Sequence, residues 1–148
     1  MFEVSIVVPV FNAERYLTDF YESMNSQEFS NFELIFCDDC STDTSAECIG
    51  KLVETDCRVK LVRNQHNLGP ALSRNRCIEV SSGRFIAFCD VDDLWHPQKL
   101  VKQIYQMKRY GWVLSFTNVN LISESGNVIG ARVFKKNTCS LTSMKMRN

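Results

Sequence analysis

Short β-branched apolar runs alternate with stretches of helical periodicity along this chain, and that alternation limits the fold more than any other feature. The run Val4-Ser5-Ile6-Val7-Val8-Pro9-Val10 is nearly continuous and reads as a buried strand. Residues 13–27 then set Tyr16, Leu17, Phe20, Tyr21 and Met24 on one stripe at helical spacing. The pattern repeats. Residues 32–37 and 59–63 read as strands, and between them Ile49, Leu52 and Val53 face inward from a helix over 44–54. Gly69-Pro70 opens a third helix that runs to about Val80, with the proline suited to its first turn. Residues 84–89 form a fourth strand, stopped by Asp90-Val91-Asp92-Asp93, and Pro97 begins a helix with Leu100, Val101, Ile104 and Met107 inward. A fifth strand is expected over 112–120. Strand and helix in repeated succession mean crossover units, so the predicted class is α/β, a mostly parallel sheet with helices on both faces.

After that the alternation stops. Glu124-Ser125-Gly126-Asn127 stands between two apolar runs within 121–134 and predicts a hairpin turn. Residues 135–148 have no clear period. The expected organisation is one domain over residues 1–134 and a loosely held tail over 135–148.

Charge and cysteine usage narrow the function. Lysine plus arginine and aspartate plus glutamate each number 17, so the chain as a whole offers no basic field for a nucleic-acid backbone. The longest apolar stretches, 4–11 and 85–89, are far short of a membrane span, and no leader pattern opens the chain. Seven cysteines scattered through apolar runs fit buried hydrophobes in a reducing compartment, which predicts a cytoplasmic protein. Cys37-Asp38-Asp39-Cys40 has a redox or zinc spacing but no second pair to match it, and is read as structural.

In an open parallel sheet, ligands bind at the carboxyl ends of the strands. There this sequence puts Phe11, Asn12 and Glu14 after the first strand, and Asp38, Asp39, Ser41, Thr42 and Asp43 after the second. Asn64, His66, Asn67 and Gly69 follow the third, and Asp90, Asp92 and Asp93 the fourth. Carboxylates gathered at one edge are unfavourable unless something positive binds among them. In extended backbone, Asp90 and Asp92 project to one side, so both could reach one Mg²⁺ or Mn²⁺ ion that keeps positions open for phosphate oxygens. Loop aspartates also cap helices, and Ser41, Thr42 and Asp43 are read that way. His66 and His96 lack partners at ligand spacing, and Trp95 and Pro97 read as structural.

Four ordered blocks carry a resemblance. They are Val4-Ser5-Ile6-Val7-Val8-Pro9-Val10-Phe11-Asn12, residues 32–43 ending Cys37-Asp38-Asp39-Cys40-Ser41-Thr42-Asp43, Asn67-Leu68-Gly69 with Ser73-Arg74-Asn75, and residues 83–97 around Asp90-Val91-Asp92-Asp93. Together they resemble the opening of a family 2 glycosyltransferase, and within it the bacterial members that build capsule, lipopolysaccharide or teichuronic-type polymers. The resemblance implies a GT-A fold and a nucleoside diphosphate sugar donor, usually a UDP-sugar. It implies Asp39 at the uracil edge, Asp92 as the direct ligand of Mn²⁺ or Mg²⁺, and Asp90 near the ribose or the metal's water shell. Pro9, Phe11 and Glu14 would line the nucleoside pocket. Arg74 would face the base or diphosphate, or pair with the aspartates as a structural bridge.

By the same resemblance, an acceptor hydroxyl attacks the anomeric carbon with inversion, and the acceptor is a saccharide or lipid-linked molecule. That suggests peripheral association with the inner face of the cytoplasmic membrane, though no amphipathic basic helix is read in the sequence. The general base is expected beyond Asn148, since Glu124 lies in a turn and the other aspartates sit on the leaving-group side. The expectation is therefore a donor-binding portion with its acceptor half missing. The alternatives are a non-catalytic nucleotide-binding module working with a partner subunit, a receiver-like signalling domain, and a glycosidase. Asn118 and Asn120 stand where a receiver needs its lysine, and a glycosidase needs carboxyl groups on both sides of a sugar.

Overall fold

A computed structural model describes residues 1–123 and 126–133. The element order is β1 (Val4–Val10), α1 (Glu14–Asn25), β2 (Phe32–Asp38), α2 (Ser45–Thr55), β3 (Val59–Arg63), α3 (Pro70–Glu79), β4 (Phe85–Phe88), α4 (Lys99–Tyr110), β5 (Val119–Ile122) and β6 (Val128–Arg132). The chain divides into two compact units, Met1–Val101 and Lys102–Asn148.

The first unit holds a four-stranded sheet in the order β3-β2-β1-β4. Every pairing in it is parallel, with Val7 opposite Ile35 and Phe88, and Asp38 opposite Arg63. All seven residues of β2 are buried, so both faces of the sheet's centre are covered. Side chains alternate along a strand, and the two faces carry different helices. Ile35 and Cys37 on one face join Val7 and the α3 residue Cys77 in a buried cluster, with Val62 and Ile86 against it. Phe36 on the other face meets Phe20 of α1 edge to face, with ring centroids 5.8 Å apart. Each such buried aliphatic or aromatic side chain contributes about 2 kcal/mol.

At the amino ends of the strands, Glu33 is a wholly buried carboxylate. Its Oε1 accepts from Ser5 Oγ (2.6 Å), Ser82 N (2.6 Å) and Ser82 Oγ (2.9 Å), and Lys60 Nζ lies 2.7 Å from Oε2. Gly83 donates to Ser5 Oγ and closes this cluster against β1.

In the second unit, β5 and β6 pair antiparallel with Val119 opposite Arg132, which is the expected hairpin, with a register irregularity between Leu121 and Ile122. The fifth strand differs from expectation. Residues 112–118 form no strand, and β5 begins only at Val119. An apolar run takes up ladder geometry where partner strands cover it, and here Val113 is 77% exposed. Glu124 and residues 135–148 lie outside the described residues. Among those residues no helix is long and apolar enough to cross a membrane.

Candidate functional site

The strand order places a switch point between β1, whose chain goes on to one side of the sheet, and β4, on its other side; such points are where crevices open at the carboxyl ends of strands. A cleft of about 470 Å³ lies there, within the first unit. Pro9, Phe11, Asp39, Arg74, Asp90 and Asp92 all line it, so six of the seven residues singled out in the sequence meet at one place. Tyr16, Asn67 and Gly69 line it too. Helical spacing places Tyr16 on the inward stripe of α1, but Leu17, Phe20 and Met24 form that stripe and Tyr16 turns to the cleft.

Glu14 stands apart from this set. Its Oε2 accepts from Thr44 Oγ1 (2.6 Å) and Thr44 N (3.0 Å), and its own N–H donates to Asp43 Oδ2. Those two Thr44 bonds hold the Glu14 carboxyl below its ordinary value. The pairing ties the start of α1 to the start of α2. Neighbouring bonds extend the tie: Asn12 N to Ser41 Oγ, Thr42 N to Asn12 Oδ1, and Ala13 N to Ser45 Oγ. Ser41 and Thr42 thus bridge to the β1–α1 loop rather than capping α2. Asp43 does cap, its Oδ1 accepting from Ser45 N at 2.9 Å. Asn12 adopts φ +50°, a left-handed conformation that asparagine tolerates better than most residues, and its side chain is fixed by this bridge.

Asp39 is 3% exposed and accepts three hydrogen bonds. Oδ1 accepts from Asn64 Nδ2 (2.7 Å) and Leu68 N (2.8 Å), and Oδ2 accepts from Gly69 N (2.7 Å). Burial pushes its carboxyl up, but the donors from Leu68, Asn64 and Gly69 outweigh burial and hold it below the ordinary carboxylate value. An ionised carboxylate has about four acceptor positions, so one remains on Oδ2. Asn64, also buried, stands out in the sequence only by its place after β3. Its amide in fact anchors the region: Nδ2 also donates to Ser73 Oγ, while Oδ1 accepts from Arg76 Nη1 (2.8 Å) and Cys37 Sγ (3.6 Å). An asparagine directly after a strand on the ligand-binding edge was the only available signal.

Arg74 donates through Nη2 to Asp90 Oδ1 in an ion pair. Asp90 and Asp92 are not in extended backbone as expected. Asp93 N–H donates to Asp90 O at 3.0 Å, closing a β-turn over 90–93. Within that turn, partial desolvation and then the Asp92 and Asp90 charges push the Asp93 carboxyl up. This is the like-charge stress that a cation relieves. Among the described residues no three His, Cys, Asp or Glu side chains converge as a metal cage. The donor set nonetheless fits Mg²⁺ or Mn²⁺, which are held by one or two carboxylates plus waters and phosphate oxygens. Asp90 and Asp92 supply those hard oxygens at the rim of the cleft.

Cys37 is buried and Cys40 exposed, with Cys40 Sγ toward Gln65 O at 3.9 Å; the six cysteines among the described residues are unbridged. His66 and His96 are exposed, and His96 Nδ1 accepts from Gln98 N. Trp95 is buried, with Lys99 Nζ 4.2 Å from its ring centroid and its carbonyl toward Gln27. Pro97 lies in a turn two residues before α4 begins.

The family model for glycosyl transferase family 2 matches residues 5–138. The chain belongs to that family. WfgD of Escherichia coli, named as UDP-Glc:alpha-D-GlcNAc-diphosphoundecaprenol beta-1,3-glucosyltransferase, is 37% identical over 126 residues, covering 84% of this chain and 49% of that protein. The S. aureus TarS 1-349 structure in complex with UDP-GlcNAc is 28% identical, with a TM-score of 0.69, over 74% of this chain and 32% of that one. The mannosyltransferase PcManGT from Pyrobaculum calidifontis, solved with GDP-Man and Mn²⁺, shares the fold at TM-score 0.67 and 19% identity, over 82% of this chain and 36% of that one. The chain spans about half the length of the curated relative WfgD. The four-stranded parallel sheet and its helices are GT-A-like, as expected.

Proposed function

We propose that this chain forms the nucleotide-sugar-binding portion of an inverting glycosyltransferase that uses a UDP-sugar in bacterial surface polysaccharide synthesis. The observation that carries the reading is the convergence of Asp39, Arg74, Asp90 and Asp92 on one cleft at the switch point of the sheet. Family membership supports it, as do the UDP-glucose in the name of WfgD and the UDP-GlcNAc held by TarS.

Each residue has a task. The remaining acceptor position of Asp39 takes an N–H from the base, while the positions already filled keep the Leu68–Gly69 backbone against the pocket. Pro9, Phe11 and Tyr16 give the nucleoside an apolar wall that excludes water. Arg74 carries positive charge to the diphosphate end, where it already neutralises Asp90. Asp92, with Asp90 behind it, holds Mn²⁺ or Mg²⁺, which when bound stabilises negative charge on the departing diphosphate. The acceptor, a saccharide or lipid-linked hydroxyl, attacks from the opposite face, and these aspartates do not serve as its base.

Calorimetric titration with UDP, with and without Mn²⁺, tests the reading. The expected result is binding that Mn²⁺ strengthens and that loses this dependence in Asp92→Ala. Absence of heat in both titrations overturns it. Donor turnover with a lipid-linked acceptor separates an enzyme from a binding module.

A further inference from the structure

The turn that carries Asp90 and Asp92 is tied at both ends to β1 and the helix that follows it. At its start, Cys89 is buried and its N–H donates to Val7 O at 3.3 Å, continuing the pairing of β4 with β1. At its end, Leu94 is the only residue between the turn and Trp95, which is also buried. The Trp95 N–H donates to Ser23 Oγ, near the end of α1, at 3.4 Å.

Gln27, just past α1, does most of the holding. It is buried and takes no part in lining the cleft. Its Nε2 donates to His96 O at 2.9 Å, with Ser23 O at 3.3 Å and Trp95 O at 3.5 Å. Its Oε1 accepts from Leu100 N at 3.3 Å. Leu100 is the second residue of α4, and the first N–H groups of a helix have no partner within it. One side-chain amide thus joins the carbonyls before Pro97 to an N–H after it. The backbone reinforces the tie, Glu28 N–H donating to Pro97 O at 2.9 Å. Phe20 and Met24, both wholly buried, fix α1 itself.

A methionine would fill the same space with no amide to desolvate. What the amide adds is direction: its donors and acceptor fix residues 95–100 in one arrangement against α1. Asp90, Asp92 and Asp93 bring three like charges into the five residues between the anchors at Cys89 and Trp95, and their repulsion spreads the turn unless its ends are held.

We propose that Gln27, with Ser23, is a positioning residue for the divalent cation. It holds the far end of the 90–93 turn so that the Asp90 and Asp92 carboxylates keep the spacing one ion requires. The inference rests on the metal reading given above. Mg²⁺ demands near-ideal geometry, and residues one step behind the ligands commonly change metal affinity by about 10- to 100-fold. Neither Gln27 nor Ser23 lines the nucleoside pocket, so metal and nucleotide affinities separate.

Two affinities of the 148-residue chain test this: Mn²⁺ without nucleotide, by paramagnetic resonance, and UDP without metal, by calorimetry. Gln27→Met should weaken Mn²⁺ about tenfold. Ser23→Ala, which removes one half-buried bond, should weaken it about threefold. Metal-free UDP affinity should stay within about twofold of wild type in both, with unchanged circular dichroism. A lower Tm with wild-type Mn²⁺ affinity would make the role purely structural and overturn the proposal. Parallel loss of both affinities also overturns it. If Gln27→Met does not fold, Ser23→Ala decides. Failure of the metal reading itself looks different: wild type would bind no Mn²⁺, or Asp92→Ala would leave its binding unchanged. Mn²⁺ binding that Asp92→Ala abolishes and both α1-side substitutions leave untouched overturns the positioning role alone.

Discussion

Asn64 donates one amide hydrogen to the Asp39 carboxylate at 2.7 Å and the other to Ser73 at 3.0 Å, while Arg76 fixes the orientation of its oxygen from the opposite side. The amide can sit only one way round. Its hydrogens face acceptors, and its oxygen faces a cation. Asn64→Asp keeps the shape but turns a donor into an acceptor against Asp39. Two carboxylates in that contact raise each other's proton affinity, and the Arg76 pair offsets this only in part. UDP affinity, followed by calorimetry between about pH 5.5 and 8, should fall about tenfold at the upper end and recover towards the lower one. Affinity that is flat with pH and equal to wild type would mean Asp39 does not depend on Asn64.

Arg74 and Asp90 make an exposed pair, so its contribution to stability should be small, within about 1 kcal/mol. Its effect on ligands should be larger. Arg74→Ala removes the cation that pairs with Asp90, leaving the cleft more negative. Mn²⁺ binding without nucleotide, measured by paramagnetic resonance, should tighten severalfold, and UDP affinity at saturating Mn²⁺ should drop about tenfold. An unchanged UDP affinity would make Arg74 a structural bridge alone.

The sheet was legible because buried parallel strands need continuous apolar residues, and Val4–Val10 and Val59–Arg63 fall where the pattern put them. The same patterning misled at 112–118, where apolar residues are present but no ladder forms. Composition and burial alone do not choose a strand partner. At the site, Asp39, Asp90 and Asp92 were accessible to reasoning because strand ends and paired carboxylates are local features. The amide of Asn64 was not, since its four partners come from β2, the β2–α2 loop and α3. Glu14 shows the opposite error. A residue in the right stretch of chain spends its carboxylate on Thr44, and only the fold of two loops against each other reveals that.

Gly83 passes so close to β1 that a methyl group on it would lie 2.5 Å from Ser5 N and 2.7 Å from Val4 C. Both are backbone atoms of a buried strand and cannot move aside cheaply. Gly83→Ala should therefore cost about 3 kcal/mol in urea unfolding, although alanine ordinarily stabilises a loop. A change below about 0.5 kcal/mol would show that the 82–84 segment can shift away from β1.

Glu33 gives the fold an acid-sensitive anchor. Burial pushes its carboxyl up, but Lys60, Ser5 and Ser82 outweigh that and bring it down to about 2, from an ordinary value of 4.5. A carboxyl depressed by folding stabilises fully above its unfolded value, and that contribution is lost as pH falls through the interval down to its folded value. Stability should therefore be flat near neutrality and decline between about pH 5 and 2, by about 3 kcal/mol for this group. Asp56, likewise brought down to about 2 by Arg58, contributes in the same window. Glu33→Gln removes the charge and leaves Lys60 without its buried partner. It should cost about 3 kcal/mol at pH 7 and flatten, without abolishing, the acid limb of Tm against pH. Equal slopes for variant and wild type would mean that Glu33 does not lose its proton on folding at these pH values.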